Sequence, residues 1–459
     1  MPRNSRGQYR MAENMNVSAA EQQYTGRQIV LFKDRDDESE TETFRRMRSV
    51  LSNYAGIHDV MSTRDVSLES YRADKSEDAE ALVLENLGIA IVSHDGELAR
   101  SLSTSSRDGD SEIEAIIPEK IDYLMQDPVG ELALEAGESD AEMALQLNPA
   151  GLKRLYEVLK VLTKLCDALA PAEEQQRQLE TAACYTNTAT ATWGLYATRV
   201  LESRYSGRGV RVAVLDTGID LNHRDFVGRS VVARSFVPGI PVQDVSGHGT
   251  HCIGTACGSR HPASGRRYGI AYNSEIYALK VFNNDINPGA RRGDVLAAMD
   301  FASRAGCRVI SMSLGRDSNG QVDEEYERAI CRVRRAGSLV VAAAGNAGQL
   351  LTGSPANSPS ATAVAAVDNC LRRAHFSSYG KIEIAGPGVE VISSLPGGGT
   401  GQYSGTSMAT PHVAGIAALW LEAVPAMNAD QLEHRLQRTA RRLPQPATYV
   451  GAGLVQAPV

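Results

Sequence analysis

The chain has 459 residues, of which 42% are hydrophobic and 22% charged, a composition that excludes a disordered or collagen-like protein. Its length predicts two or three folded units. The formal net charge is −8, with acidic residues concentrated before residue 180 and a slight excess of Lys and Arg after it. These opposite signs predict attraction between the two parts, and neither part has the strongly basic character of a nucleic-acid-binding protein.

The cysteine content and the N-terminus bear on where the protein works. Seven cysteines, an odd number at wide spacing, predict reduced thiols rather than a disulfide framework. The segment MPRNSRGQYRMAENMNVSAAEQQ lacks the apolar core of a secretory signal. No run of about 18 apolar residues occurs that would cross a membrane. We therefore expect a soluble cytoplasmic protein that binds neither membrane nor nucleic acid.

Residues 1–26 are polar and irregular and are predicted to form a mobile tail. After them, the hydrophobic pattern predicts a small ferredoxin-like α+β domain that occupies residues 27–126. Its predicted strands are 28–32, 57–63, 81–93 and 112–117, and its predicted helices are 40–55 and 97–102.

An acidic linker with one amphipathic helix is predicted over residues 127–184. This helix, 152–169, has an apolar face formed by Leu152, Leu155, Leu159, Leu162 and Cys166. We expect the helix to pack on its own domain, and a regulatory clamp is the alternative.

From residue 185 to 459, short apolar strands alternate with helices, which predicts an α/β domain. Continuous Val, Ile and Ala runs are typical of parallel strands that helices cover on both faces. The predicted strands are 210–215, 275–281, 308–314, 338–344 and 362–367, and the predicted helices are 293–305, capped by Asp294, and 321–336. In such sheets the chemistry lies at the carboxyl ends of the strands.

Two of these strand ends offer a carboxylate and an imidazole. Asp216 ends VAVLD and is followed by Thr-Gly, a motif also found in aspartic proteases. Those enzymes need two such carboxylates sharing a proton, and the sequence has no second copy. His248 lies in GHGTHC. A zinc site of His248, His251, Cys252 and Cys257 is an alternative there, which the lack of other expected ligands disfavours.

The third candidate is Ser407 in GTSMATPH, immediately before an apolar helical run. This position predicts a helix N-terminus, although a plain serine cap is the alternative. Together the three residues form a set in which His248 takes the hydroxyl proton of Ser407 and Asp216 holds the imidazole. Asn346, which follows another strand, would bind the oxyanion together with the Ser407 amide.

These motifs resemble the catalytic domain of the subtilisin-like serine peptidases over residues 190–457, and the proteinase K branch is especially similar. The matching segments are VLDTGI (214–219), HGTHC (248–252), AGN (344–346), FSSYG (376–380), GPG (386–388) and GTSMATPH (405–412). The resemblance implies a subtilisin-like parallel sheet sandwiched between helices and a serine endopeptidase that forms an acyl-enzyme. It implies the catalytic residues Asp216, His248, Ser407 and Asn346, with Cys252 as a free cysteine beneath the histidine.

The resemblance also implies a substrate cleft whose edges pair with the peptide as added strands. The matching edge residues are Ser313, Leu314 and Gly315 on one side and Ala343, Ala344 and Gly345 on the other. Their small size implies an open pocket for an apolar side chain before the scissile bond. Arg316 stands where the family often has glycine, so the rim of the pocket is expected to differ.

The implied reaction requires no cofactor, but the resemblance points to a structural calcium site. The carbonyl groups of Pro359 and Ala361 and the carboxylate of Glu383 would bind the ion. Glutamate stands where the family usually has aspartate, so an ordinary surface glutamate is the alternative.

The domain at 27–126 resembles the inhibitory propeptide of this family, which implies a zymogen. We expect residues 121–126 to lie in the cleft like a product and to be cleaved near Met125 or Gln126, with a cut between 127 and 190 as the alternative. The expected partners are a protein or peptide substrate and the chain's own N-terminal domain. A protease-like scaffold with a permanently occupied cleft is the rival interpretation, and a maturation protease with one dedicated substrate is a narrower one.

Overall fold

The computed structural model describes residues 24–35, 38–63, 79–93, 112–124, 184–285 and 288–459. Residues 1–23 of the predicted tail, the short helix at 97–102, the helix at 152–169 and the candidate cleavage residues Met125 and Gln126 lie outside the described residues. Residues 24–26, predicted as the end of the tail, instead begin a strand, because they pair with the strand that ends at residue 124. Among the helices of the described part, none has the length and apolar character needed to cross a membrane.

The first described elements form an α+β unit, which we call the N-terminal unit. Its elements are β1 (Tyr24–Phe32), α1 (Glu40–Ala55), β2 (Val60–Ser62), β3 (Ala81–Leu84), β4 (Ile89–Val92) and β5 (Ile113–Leu124). Its strands lie in the order β5-β1-β4-β3-β2, antiparallel except for the β2–β3 pair. The predicted extended run 81–93 is therefore two strands, because a 3-10 turn at Glu85–Leu87 and Gly88, with φ of 60°, reverse the chain.

Helix α1 has the bounds that the sequence predicts, since both of its ends carry strong signals. Ser39 and Glu42 form a reciprocal capping box at its start. Gly56 adopts the left-handed conformation at its end, with φ of 64°.

The second group of elements begins after residue 184. It comprises α2 (Trp193–Ala197), β6 (Arg211–Asp216), β7 (Val231–Ser235), α3 (His248–Cys257), β8 (Glu275–Lys280), β9 (Gly289–Arg291), α4 (Arg292–Arg304), β10 (Val309–Met312), β11 (Leu314–Gly315), α5 (Glu324–Arg335), β12 (Leu339–Ala343), β13 (Thr362–Val367), β14 (Ile384–Pro387), β15 (Val391–Leu395), β16 (Gly399–Tyr403), α6 (Thr406–Ala423), α7 (Ala429–Thr439) and α8 (Ala447–Val450). Seven of the described strands form a parallel sheet in the order β14-β13-β12-β10-β6-β8-β7.

The N-terminal unit packs its sheet between two helical layers. In β1, Val30 and Phe32 are buried in one cluster with α1, whereas Ile29 and Leu31 are buried in another cluster with α4 and α5. Alternate residues of a strand point to opposite faces, so a single strand contributes to both cores. The two parts of the chain therefore share a continuous apolar core.

Helix α4 corrects one detail of the sequence analysis. Its N-cap residue is Arg291 rather than Asp294, which lies in the first turn and accepts a hydrogen bond from the Arg291 side chain at 2.8 Å. The amide of Gly293, in the same turn, donates instead to the carboxylate of Glu119 in β5, at 2.6 Å. The helix N-terminus is thus satisfied from a segment 174 positions away.

A disulfide between Cys184 and Cys370 corrects the expectation that the thiols are reduced. The two cysteines are 186 positions apart, so their spacing gives no local signal of pairing. An odd number of cysteines shows only that they cannot all be paired. The other cysteines of the described residues, Cys252, Cys257, Cys307 and Cys331, are free. Cytoplasmic location stays a prediction, and it loses the support of reduced thiols.

Candidate active site

Asp216 is the last residue of β6, at the carboxyl end of the parallel sheet, and its side chain is buried. Its Oδ1 atom accepts a hydrogen bond from the backbone amide of Thr217 at 2.7 Å. The same oxygen lies 2.7 Å from Nδ1 of His248. The carboxylate is therefore fixed by its own backbone and directed at the imidazole.

His248 begins helix α3, where the preceding Gly247 has φ of 91°, a left-handed conformation that favours glycine. Burial would lower the pKa of His248, but the Asp216 carboxylate outweighs it and holds that pKa well above its ordinary value of 6.5. With Nδ1 facing Asp216, Nε2 is the ring atom that can accept a proton, and it has no hydrogen-bond partner within the described residues.

Ser407 lies in the first turn of α6, as the sequence predicts. Pro411 within this helix has no amide hydrogen, so the carbonyl of Ser407 cannot make the usual helical bond. It accepts instead from the hydroxyl of Ser313 at 2.9 Å and from the thiol of Cys252 at 3.5 Å. In return, the Ser407 hydroxyl donates to the carbonyl of Ser313 at 3.2 Å.

Cys252 brings the histidine and the serine together. Its sulfur lies 3.8 Å from Nδ1 of His248 and 3.5 Å from the Ser407 carbonyl oxygen. Burial raises the pKa of the thiol, so the sulfur keeps its proton at neutral pH and is a poor nucleophile. The thiol therefore acts here as a hydrogen-bond donor to the Ser407 carbonyl.

The zinc set considered from the sequence does not assemble. Nε2 of His251 lies 2.9 Å from the carbonyl oxygen of Val391, and its ring stacks on Tyr403. Burial lowers the pKa of His251 to about 3, so the ring is neutral. Among the described residues, the His, Cys, Asp and Glu side chains that cluster closely enough for a metal are Asp216, His248 and Cys252, which belong to the site already described.

Asn346 lies beside the first turn of α6. Its Oδ1 atom accepts from the backbone amide of Thr406 at 2.9 Å and from the hydroxyl of Thr406 at 2.8 Å. These bonds fix the orientation of the side-chain amide, and with it the direction of its donor atom, Nδ2. The hydroxyl of Thr406 also accepts from the amide of Gly345 at 3.2 Å.

Asp244 is a residue of this site that the sequence analysis missed. Its buried carboxylate accepts from the hydroxyl of Thr217 at 2.9 Å and from the amide of Gly247 at 2.9 Å. It also accepts from the amide and hydroxyl of Thr250, at 2.8 and 2.7 Å. One carboxylate therefore joins the turn after Asp216 to the start of α3. A lone aspartate in a loop carries no motif that reveals this.

A cleft on the same face of the domain holds the end of β5. Leu124 and Tyr123 pair antiparallel with Leu314 and Gly315 of β11. On its other side, β5 pairs with β9, with Asp122 opposite Ala290. Two short strands of the α/β domain thus hold a strand of the N-terminal unit between them, in the way that a cleft binds an extended peptide.

The subtilase family model matches residues 207–453 of the chain, which include Asp216, His248, Asn346 and Ser407. The chain belongs to the subtilase family. It is 34% identical over 352 residues to the alkaline protease of Alkalihalobacillus alcalophilus, covering 73% of this chain and 89% of that protein. It is 38% identical over 301 residues to alkaline elastase YaB of Bacillus sp. strain YaB, covering 63% and 77%.

The similarity extends to solved structures. The structure of sphericase has 32% sequence identity with this chain and superposes with a TM-score of 0.52, covering 57% of this chain and 97% of that one. The subtilisin-like α/β fold is therefore confirmed, and the protein is a subtilisin-like serine endopeptidase.

Of the two segments expected to edge the cleft, Leu314 and Gly315 pair with β5 in the described structure, whereas Ala344 does not. The backbone of Ala344 bonds to Val364 and Gly353 and does not pair with β5. The segment that pairs with β5 opposite β11 is β9, which has only three residues and no distinctive pattern. Ala344 and Gly345 lie instead next to Asn346, beside the first turn of α6.

The residues expected to bind calcium do not fit that ion. The ammonium group of Lys381 donates to the carbonyl of Ala361 and lies 2.7 Å from the carboxylate of Glu383. The same carboxylate oxygen accepts from the amide of Ala363 at 2.7 Å. Among the described residues, no hydrogen bond joins Pro359 to this cluster. A divalent cation among these acceptors would be repelled by the ammonium charge that already holds them.

Proposed function

We propose that this subtilase hydrolyses peptide bonds through Asp216, His248 and Ser407. Nε2 of His248 takes the proton of the Ser407 hydroxyl as its oxygen attacks the substrate carbonyl. The protonated imidazole then donates that proton to the leaving amine as the peptide bond breaks. A water molecule then attacks the acyl-enzyme while Nε2 takes its proton. Nε2 returns that proton to the Ser407 oxygen, which releases the acid and restores the hydroxyl. Asp216 holds the ring tautomer throughout.

The negative oxygen of the tetrahedral intermediate would be bound by Nδ2 of Asn346 and the backbone amide of Ser407. Thr406 supports this arrangement because both of its bonds to Asn346 go to Oδ1. The Ser407 amide lies in the first turn of α6, where amide hydrogens lack helical acceptors and the helix dipole favours negative charge.

The observation that carries this proposal is the 2.7 Å contact between Asp216 and Nδ1 of His248. It leaves Nε2 as the proton acceptor, with Cys252 linking His248 to Ser407. The buried thiol against the histidine also supports the finer resemblance to the proteinase K branch.

We further propose that the N-terminal unit is an intramolecular inhibitor and the first substrate of the enzyme. Leu124 lies opposite Leu314, and Ser313 precedes Leu314 and contacts the Ser407 hydroxyl through its carbonyl. The antiparallel register directs the end of β5 towards Ser313 and hence towards the nucleophile. Cleavage after Met125 would release the unit from its own cleft.

Charge complementarity supports this docking. Arg328 of α5 contacts Asp34 and Glu114, and Arg332 also contacts Asp34. One pair has the opposite polarity, since Arg27 of β1 binds Asp294 of α4 at 3.1 Å. The acidic first part of the chain thus meets arginines of the domain that it would inhibit.

Labelling with a fluorophosphonate probe tests the proposal, before and after limited proteolysis that removes the N-terminal unit. We expect a Ser407-dependent adduct that increases on removal of the unit and is absent in Ser407→Ala. Ser404→Ala is the matched control, because Ser404 bonds the amide of Glu390 at 3.0 Å and contacts no proposed catalytic group. No adduct under either condition would favour the scaffold interpretation.

A further inference from the structure

The side chain of Asp122 points from β5 into the α/β domain and is fully buried there. Its Oδ1 accepts from Nη2 of Arg292 at 2.9 Å, and its Oδ2 accepts from Nε of Arg292 at 3.3 Å. The hydroxyl of Tyr326 donates to Oδ2 at 2.5 Å. Three donors from α4 and α5 therefore converge on one carboxylate that a neighbouring unit supplies.

Other carboxylates contact the rest of the Arg292 guanidinium, and Nη2 is shared between Asp122 and Asp323. Arg292 uses its Nη1 atom on Glu325, and its Nη2 atom lies 3.2 Å from Asp323. Asp323 is also bound by Arg316 and by Lys120, each at 2.8 Å. The Nε and Nη2 edge of the Arg292 guanidinium thus faces Asp122, a two-point geometry that matches a carboxylate.

The position of Asp122 along β5 connects this contact to substrate binding. Asp122 pairs with Ala290 in β9, and its neighbour Tyr123 pairs with Gly315 in β11, so both lie in the cleft. If the bond after Met125 is cleaved, Asp122 is the fourth residue on the N-terminal side of that bond. The side chain of that fourth residue would therefore enter the space in front of Arg292 and Tyr326.

We propose that this cleft selects substrates with an acidic residue, aspartate above all, four positions before the scissile bond, and that Arg292 and Tyr326 determine this specificity. The inference rests on the proposed function, because it uses the register of β5 as the register of a substrate. An apolar side chain at this place would leave Nε of the buried guanidinium and the buried Tyr326 hydroxyl without the acceptor that Asp122 supplies, and an amide side chain would offer one acceptor atom and no negative charge. Either replacement is costly. An acidic side chain satisfies both donors.

The test uses quenched fluorescent peptides with the sequence EKIDYLMQDP, taken from residues 119–128, and variants with Asn or Leu in place of the first aspartate. Full-length protein is expressed and purified, and the N-terminal unit is released by its own processing or by limited proteolysis. We expect kcat/KM for the Asp peptide to exceed that for the Asn and Leu peptides by at least about tenfold. Mass spectrometry of the products fixes the cleaved bond, and Ser407→Ala is the blank.

Variants assign the preference to the two residues. Arg292→Leu should abolish the advantage of Asp over Asn, and Tyr326→Phe, which removes only a hydroxyl from a buried ring, should reduce it several-fold. Arg328→Leu is the matched control, because Arg328 contacts the N-terminal unit at Asp34 and Glu114 and not at Asp122. It should keep the preference.

Three results would overturn the inference. Equal rates for all peptides, with hydrolysis and probe labelling intact, would contradict the acidic subsite and leave the peptidase proposal standing. An Asp preference that survives both Arg292→Leu and Tyr326→Phe would assign the selectivity to other groups. Absence of both hydrolysis and labelling would contradict the proposed function, and the proposed subsite with it.

Discussion

At the scale of single residues, the charge state of His248 sets the pH dependence. Below its pKa, Nε2 carries a proton and cannot accept the one from Ser407, so activity falls as pH decreases. Burial opposes protonation but the Asp216 carboxylate outweighs it, which places the pKa of His248 above 6.5. We predict that kcat/KM for a peptide without titrating groups rises with pH through a midpoint above 6.5.

The pH profile of kcat/KM from about pH 5 to about pH 9 provides the measurement, since it reports the pKa of the free enzyme's base. Asp216→Asn should lower the midpoint, and it should lower kcat by about 10,000-fold because the ring then adopts the wrong tautomer. A wild-type midpoint below the ordinary value for histidine would contradict the predicted effect of Asp216.

Asp244 allows a second prediction at this scale. Asp244→Asn keeps the size of the side chain but loses acceptors for the amide and hydroxyl of Thr250, which lies in the first turn of α3. His248 begins this helix, so a small displacement of the turn moves the base. We expect kcat to fall about tenfold or more with KM little changed.

Asp220→Asn is the control for this substitution. Asp220 is also buried nearby, but its carboxylate accepts from the amides of Asn222 and Gly397 and not from α3. We expect its kcat to stay close to that of the wild type. Equal losses of kcat in both variants would mean that Asp244 has no special role in positioning the histidine.

The site residues that lie in distinctive motifs could be predicted from the sequence. The residues that only hold other groups in position could not. Asp216, His248 and Ser407 follow apolar strands or precede an apolar helix, and their flanking glycines are distinctive. Asp244 and Lys381 have ordinary neighbours, and their roles depend on contacts with segments that folding brings close. Such roles depend on tertiary contacts that local sequence patterns do not encode.

At the scale of elements, the long and well-capped ones were predictable. The capping box at Ser39 and the periodic apolar face predict α1. The Val- and Ala-rich runs predict the parallel strands. Strand β9 was missed because it has three residues, and its pairing with β5 depends on the docking of the N-terminal unit. The prediction of Asp294 as the cap of α4 was wrong for a similar reason, because the acceptor for the Gly293 amide is Glu119 of β5, which only the folded chain brings there.

The loop and strand around Lys381 carry a stability prediction. The Lys381 ammonium binds the carbonyl of Ala361, the carbonyl of Ala356 at 3.1 Å and the carboxylate of Glu383 at 2.7 Å. Lys381→Met leaves these acceptors without their donor, so we expect a loss of about 1 to 3 kcal/mol in the free energy of unfolding.

Chemical denaturation in a Ser407→Ala background measures this loss without autolysis. The control is Arg372→Met, which breaks the ion pair between Arg372 and Asp368. The Arg372 side chain is 57% exposed, so the free energy of unfolding should fall by less than about 1 kcal/mol. If Lys381→Met proved no more destabilising than the control, the ammonium would not be the ion that holds this segment together.

At the scale of the whole molecule, one chain brings together an enzyme and a strand that fits its cleft. The N-terminal unit shares an apolar core with α4 and α5, and its acidic residues meet arginines of the same helices. Asp122 and Glu119 of β5 are buried against Arg292 and the first turn of α4. These contacts favour folding of the two parts as one body, and they account for the separation of acidic and basic residues along the sequence.

The most direct measurement is the intact mass and the N-terminal sequence of the purified wild-type protein and of Ser407→Ala after the same incubation. We predict that the wild type is cut after Met125 or Gln126 and that Ser407→Ala stays uncut. If both proteins kept their full length, or if both were cut at the same bond, the N-terminal unit would not be the first substrate of this enzyme.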